Sequence, residues 1–240
     1  MAKTRADAIR FAYSHIGDHE DPPGSNHCIY SSWYDQAGRY GSDDEPWCLK
    51  FASFVVVGQC GVTLPGAQSP HGFASSVACL QAAHDHSRYA SPSQLRGGDF
   101  VIYHVPGERA GPNHGGVYIR RCTAHTACVI SVDGNTGHST TENQRDGGCV
   151  DEKHRPLSWV LGGYVPDYAK PATVTAPAWW HRTLRRGMAG DDVKVMQRRL
   201  KVDDDGAFGP MTEHAVRYVQ HRHSLTTTGV VDARTARAIG

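Results

Sequence analysis

Residues 45–54, EPWCLKFASF, decide how the rest of the chain is read. Pro46 bars a helix from running through it, and Cys48 opens an apolar run, Leu49, Phe51, Ala52, Phe54, Val55, Val56 and Val57, closed by Gly58 and Gly61. Cys48 is therefore expected in the first turn of a buried helix. There, unpaired backbone N–H groups and the positive end of the helix dipole favour a thiolate, the form that attacks carbonyls. Taken alone, a buried cysteine is more often a small core residue. The surrounding chain decides between the two.

Towards the N-terminus, Thr4–Ile16 reads as a helix, with Thr4 and Asp7 in capping-box spacing, Ile9, Ala12, Tyr13 and Ile16 on one face, and Gly17 as its stop. It is expected to pack over the helix that carries Cys48. Between them, residues 18–47 are rich in Gly, Asp, Pro and aromatics and read as one long loop. With Asn26, Tyr30, Trp33, Tyr34, Tyr40 and Trp47, it is expected to wall a groove in front of Cys48. Towards the C-terminus, a second helical pattern spans about 72–83, with Phe73, Val77 and Leu80 in register. The period then changes to that of strands at 99–105, 114–121, 127–134 and 159–166. Helices followed by consecutive short strands predict an α+β domain, its N-terminal helices packed on an antiparallel sheet.

A cysteine nucleophile needs a base, and the base needs a group that fixes its ring. His114 in NHGGVYI is the candidate base, because it enters a strand and is followed by Gly115 and Gly116, which would let a substrate backbone approach. In VDGNTG on the next strand, Asp133 and Asn135 are two residues apart and so share a face, and either can accept from the imidazole. Singly, these residues read as a surface histidine and a hairpin turn. A helix-borne Cys followed by His and then Asp or Asn on neighbouring strands is a far less common coincidence.

Residues 169–182 hold Pro alternating with Ala or Thr and read as a linker. Beyond it, helical periodicity at 192–200, 211–223 and 232–239 predicts a small three-helix unit over 183–240. Within it, 205–216 and 228–239 repeat at an offset of 23 residues: Gly206 matches Gly229, Phe208 Val231, Thr212 Thr235 and Ala215 Ala238. Residues 180–240 carry 11 Lys+Arg and 7 Asp+Glu, a net of +4, against −3 for the remainder of the 240-residue chain. A basic unit beside an acidic one suits an anionic polymer partner.

No apolar run has the length of a membrane span, and MAKTRADAIRF lacks the apolar core and cleavage site of a secretory signal. Seven scattered cysteines in a chain made in a reducing compartment are expected as free thiols. Cys122, His125 and Cys128 match no standard zinc spacing, so no metal site is expected.

The aromatic residues before Pro46-Trp47-Cys48, with Phe51, Ser53, His114-Gly115-Gly116-Val117, Gly134-Asn135-Thr136 and Gly163-Tyr164-Val165-Pro166, resemble the CHAP peptidases of the papain-like NlpC/P60 superfamily, over roughly residues 20–168. The resemblance implies a CHAP-like domain over 1–168 that cleaves a peptidoglycan amide, with Cys48 as nucleophile, His114 as base, Asp133 or Asn135 as third group, and Asn26, Tyr30, Trp33, Trp47 and Gly115 on the substrate side. The family usually has Glu where this chain has Asp133. The tail, with Gly190-Asp191-Asp192-Val193, Gln197, Asp205-Gly206, Phe208-Gly209-Pro210 and Thr212, resembles the peptidoglycan-binding module PG_binding_1. Together the two imply a phage endolysin, a monomer with peptidoglycan as its partner, binding no nucleic acid and inserting into no membrane. Without a signal it would stay in the host cytoplasm and act on the wall after release. The motifs do not separate N-acetylmuramoyl-L-alanine amidase from endopeptidase, and a wall-binding protein with a decayed peptidase domain is the rival of another class. No cofactor is required. Some relatives depend on calcium, for which Asp43, Asp44 and Glu45 would be the ligands, though three acids in a loop read first as solvated residues.

Overall fold

The structure, a computed structural model, describes residues 3–38, 45–107, 110–122, 127–138, 147–170, 176–223 and 225–240. Tyr40, Asp43, Asp44 and His125 lie outside them. The chain divides into two compact units, Met1–Lys170 and Pro171–Gly240.

In the first unit, α1 (Arg5–Ser14) starts at Thr4, whose hydroxyl and Asp7 form the anticipated capping box. Its buried face is Ala8 and Ala12 rather than the larger residues of the stripe: Tyr13 and Ile16 are exposed. Small side chains allow the helix to lie close on the core. The segment read as one long loop contains a helix, α2 (Ile29–Asp35), and α3 (Cys48–Ser53) runs on into a π-helical turn, Phe54–Gln59. α4 (Ser76–Asp85) starts later than the periodicity suggested, because Ser75 caps it, and Val77 is exposed.

The strands β1 (Tyr89–Ala90), β2 (Phe100–Tyr103), β3 (His114–Arg121), β4 (Cys128–Thr136), β5 (Cys149–Pro156) and β6 (Val160–Tyr164) form one sheet in the order β1-β6-β2-β3-β4-β5. Every pairing is antiparallel. Alternation divides the strands cleanly. Phe100, Ile102, Val117, Ile130 and Val132 pack under the helices with Leu49, Phe51 and Val55. Val101, Tyr103, Tyr118 and Val129 build a second apolar layer on the other face, with Val160 and Leu95. Sequence reading missed β1 and β5. β5 is the sheet's edge, and its DEKHR run looks like a solvated loop; charged residues on an edge strand deter further strand pairing.

Not all the cysteines are thiols: Cys122 and Cys128 are joined as a disulfide, while Cys28, Cys48, Cys60, Cys79 and Cys149 are free. Among the described residues no helix is long and apolar enough to cross a membrane.

The second unit holds α5 (Asp191–Leu200), α6 (Pro210–Arg222) and α7 (Ala233–Ile239) around Leu184, Val193, Met196, Phe208, Val216, Val231 and Ala236. Trp179 and Trp180, placed in the linker by composition, pack on this core, and the Trp180 indole donates to the Val231 carbonyl at 3.1 Å. The 23-residue repeat has a physical centre that the sequence alignment did not name. The Gln197 amide donates to Asp205, Ala207 O and Thr212 Oγ1 and accepts from Gly206 N. Gln220, 23 residues on, donates to Thr228 Oγ1, Val230 O and Thr235 Oγ1 and accepts from Gly229 N. Each buried glutamine ties a turn to the helix that follows it.

Candidate functional site

Cys48 is the first residue of α3, with 5% of its surface exposed, and His114 is the first residue of β3, fully buried. Among the described residues no side chain caps α3, so the first-turn N–H groups keep their capacity to donate. The His114 ring is held from one side: Nε2 lies 3.2 Å from Asp133 Oδ2. Nδ1, also buried, makes no hydrogen bond among the described residues, although Cys48 is among the groups that act on the ring's charge. Such a contact commonly closes only when substrate binds. Burial alone would lower the His114 pKa. The influence of Cys48 and the hydrogen bond to Asp133 more than offset it, and the pKa is raised.

Asp133 is fully buried, and burial pushes a carboxyl towards its neutral form. Arg155 on β5 reverses this. Its Nε and Nη2 donate to Asp133 Oδ2 at 3.0 and 2.9 Å, and with His114 they hold the carboxyl far below its ordinary value. Arg155 Nη2 also donates to Thr136 Oγ1 at 3.0 Å. Tyr103 stacks on His114 with centroids 6.2 Å apart and donates to Ser131 Oγ at 2.9 Å, which closes the face beneath the pair. Hydrogen bonds thus join His114, Asp133 and Arg155 in a line that runs to the sheet's edge, with Cys48 at the helix start before them. Arg155 had no motif to announce it. Its signal is the buried acid opposite, which needs a counter-charge.

Of the two candidates for the third group, Asp133 reaches the ring although its side chain is one methylene shorter than the Glu usual in the family. Asn135 has a left-handed backbone, φ 54°, at a register shift between Asp133 and Thr136, so the two-residue alternation does not carry through to it. Its carbonyl accepts from Gly147 N.

The expected substrate-side residues divide. Trp47 is fully buried, stacks on Tyr30 at 5.3 Å and donates to Glu20 Oε1 at 2.8 Å, while Tyr30, also buried, donates to Asp18. Both brace the loop rather than line a groove: an indole and a phenol gain more from burial with one polar tip satisfied. Gly115 is likewise a packing glycine, since a Cβ there would meet Val101 O at 2.8 Å and Leu49 at 2.9 Å. Trp33 is half-buried, stacks on His71 at 4.2 Å and lines a cavity of about 490 Å³ with His27, Cys28 and Gln36. Asn26 sits just before α2 with φ 59°, its carbonyl accepting from Ser31. Of the three suggested calcium ligands only Glu45 lies among the described residues, so the proposed calcium loop falls outside them.

Residues 189–239 match the family model for a putative peptidoglycan binding domain. No curated protein matches the chain. Among solved structures, similarity is found to a fused Zn-dependent amidase/peptidase/peptidoglycan-binding domain-containing protein from Clostridium acetobutylicum, at 33% identity over 25% of this chain and 29% of that one, TM-score 0.24. The wild-type endolysin LysIME-EF1 is similar at 16% identity over 70% of this chain and 66% of that one, TM-score 0.42. A periplasmic domain of the EpsAB fusion protein of Vibrio vulnificus gives 15% identity over 59% and 55%, TM-score 0.24. At those TM-scores none of the three defines the fold of this chain.

Proposed function

We propose that the chain is a cell-wall hydrolase of the CHAP type, in which the first unit cleaves a peptidoglycan amide and the tail holds the wall. The observation that carries this is the chain Cys48, His114, Asp133, Arg155: a sulfur at an uncapped helix start beside an imidazole whose far nitrogen is fixed by an ionised, buried carboxylate. That order of groups serves acyl transfer. The family match over 189–239 supports peptidoglycan as the polymer.

In the proposed reaction, the Cys48 thiolate adds to the scissile carbonyl, and the oxyanion is met by the Cys48 backbone N–H and a donor from the preceding loop, Asn26. Protonated His114 gives its proton to the leaving amine. It then takes one from water, which attacks the thioester and frees Cys48. Asp133, kept ionised by Arg155, stabilises the imidazolium in both steps. Trp33 and its cavity, on a helix that packs against α3, offer a surface for the wall peptide. The proposed site of action is the host wall after release from the cytoplasm, as for a phage endolysin.

Mass spectrometry of fragments released from purified walls tests the reading. A new peptide amine identifies an endopeptidase, and a free muramyl lactoyl group an amidase. Walls that bind the protein and release neither would overturn it.

A further inference from the structure

The disulfide has a third metal-ligating side chain beside it. Cys122 N donates to Cys128 O at 3.1 Å across the β3–β4 hairpin. The β4–β5 register sets Ile130 opposite His154, one same-face step from Cys128. The two sulfurs and a ring nitrogen of His154 all lie within 4.8 Å of one another. His154 is exposed, and its Nε2 lies 3.2 Å from Glu152 Oε1, while the other Glu152 oxygen accepts from Tyr13 at 2.6 Å. A metal-binding histidine is commonly braced by a carboxylate in this way. The spacing of Cys122 and Cys128 alone suggested no site because the completing ligand comes from a strand 26 residues further on.

We propose that this cluster is a two-state staple, a disulfide when oxidised and a zinc site when reduced, with Cys122 and Cys128 thiolates and His154 as ligands and water in the fourth position. Two thiolates and an imidazole suit zinc, and the 5.4 Å between the Cys Cα atoms fits either state. In the reducing step, a small dithiol attacks one sulfur of the disulfide. Its second thiol resolves the mixed disulfide, leaving two protein thiols and the oxidised dithiol. Zinc then enters with release of both thiol protons. The disulfide ties β3 to β4; the zinc form also ties in β5, the strand of Arg155, so the redox state governs how firmly that edge is clamped.

The test uses the full chain, reduced with a dithiol, freed of it and titrated anaerobically with zinc, and with cobalt as a spectroscopic probe. Expected is one equivalent more metal in the reduced wild type than in the oxidised protein or in C122S/C128S. That equivalent should carry a thiolate-to-cobalt charge-transfer band and tetrahedral ligand-field bands. H154A should weaken it, and E152Q should weaken it by about 10–100-fold. A metal count that is the same in reduced wild type and C122S/C128S, or an affinity unchanged by H154A, would overturn the proposal.

Discussion

Replacing Arg155 by Met removes the counter-charge of a carboxylate that has no route to water. Asp133 and Arg155 are both buried, and two of the guanidinium's donors converge on Oδ2 while Oδ1 makes no hydrogen bond among the described residues. Breaking a buried pair from one side costs about 3–5 kcal/mol. For a unit of this size that is a fall in Tm of about 6–20 °C. The loss should depend on pH with a definite sign. In the wild type the Asp133 pKa is depressed, so its contribution is present above the unfolded value, about 3.9, and lost as pH falls through the folded one. Without Arg155, only His114 and Ser131 oppose the burial that favours the protonated acid, so the gap between wild type and Arg155→Met should be widest at neutral pH and narrow in acid. Calorimetry of the Met1–Lys170 transition across that range reads this directly. Adding Asp133→Asn to Arg155→Met should restore much of the stability but not wall clearing, because a neutral amide needs no counter-charge yet cannot stabilise an imidazolium. A gap that does not vary with pH, or a double variant no more stable than Arg155→Met, would refute the reasoning.

His114 has a raised pKa, so its contribution to stability is fully present below the unfolded value of about 6.5 and fades as pH rises through the folded one. His114→Ala should therefore cost more stability in mild acid than in mild base, as denaturant titrations at the two pH values would show. At Gly116 an added Cβ would meet the Asp133 carboxylate, and Val132 O at 2.7 Å; Gly116→Ala should cost about 1–3 kcal/mol and slow clearing of walls by displacing Asp133. Gln197→Leu and Gln220→Leu should each destabilise the second unit by about 2–4 kcal/mol, with matching losses of wall binding, because each strands a buried glycine N–H and a threonine hydroxyl. Unequal losses in calorimetry would break the equivalence of the two halves.

The parts of this fold that sequence reading reached are those where a residue's local chemistry and its place agree. Thr4 and Asp7 announce a helix start, Pro46 and the apolar run after Cys48 announce α3, and the alternation in DFVIYHV and HGGVYIRR announces β2 and β3. The candidate set of Cys48, His114 and Asp133 was legible because a cysteine, a histidine and a carboxylate are unlike most of what surrounds them. Arg155 was not, since one arginine in DEKHRP looks solvated until β5 is laid beside β4 and the arginine turns inward on Asp133. Trp47 and Tyr30 misled in the opposite way: aromatic residues in a polar loop suggest a binding wall, but here they are the loop's own core, tied to Glu20 and Asp18. Gln197 stood in the tail's motif, but its role and its counterpart Gln220 were hidden because the repeat was aligned on its turns, whereas the turns are held from the helices before them.

The most direct test of the account is to replace Cys48 by Ala and follow clearing and binding on the same suspension of purified walls. The account predicts that the variant sediments with the walls as the wild type does and leaves their turbidity unchanged. Clearing at the wild-type rate by Cys48→Ala would contradict it.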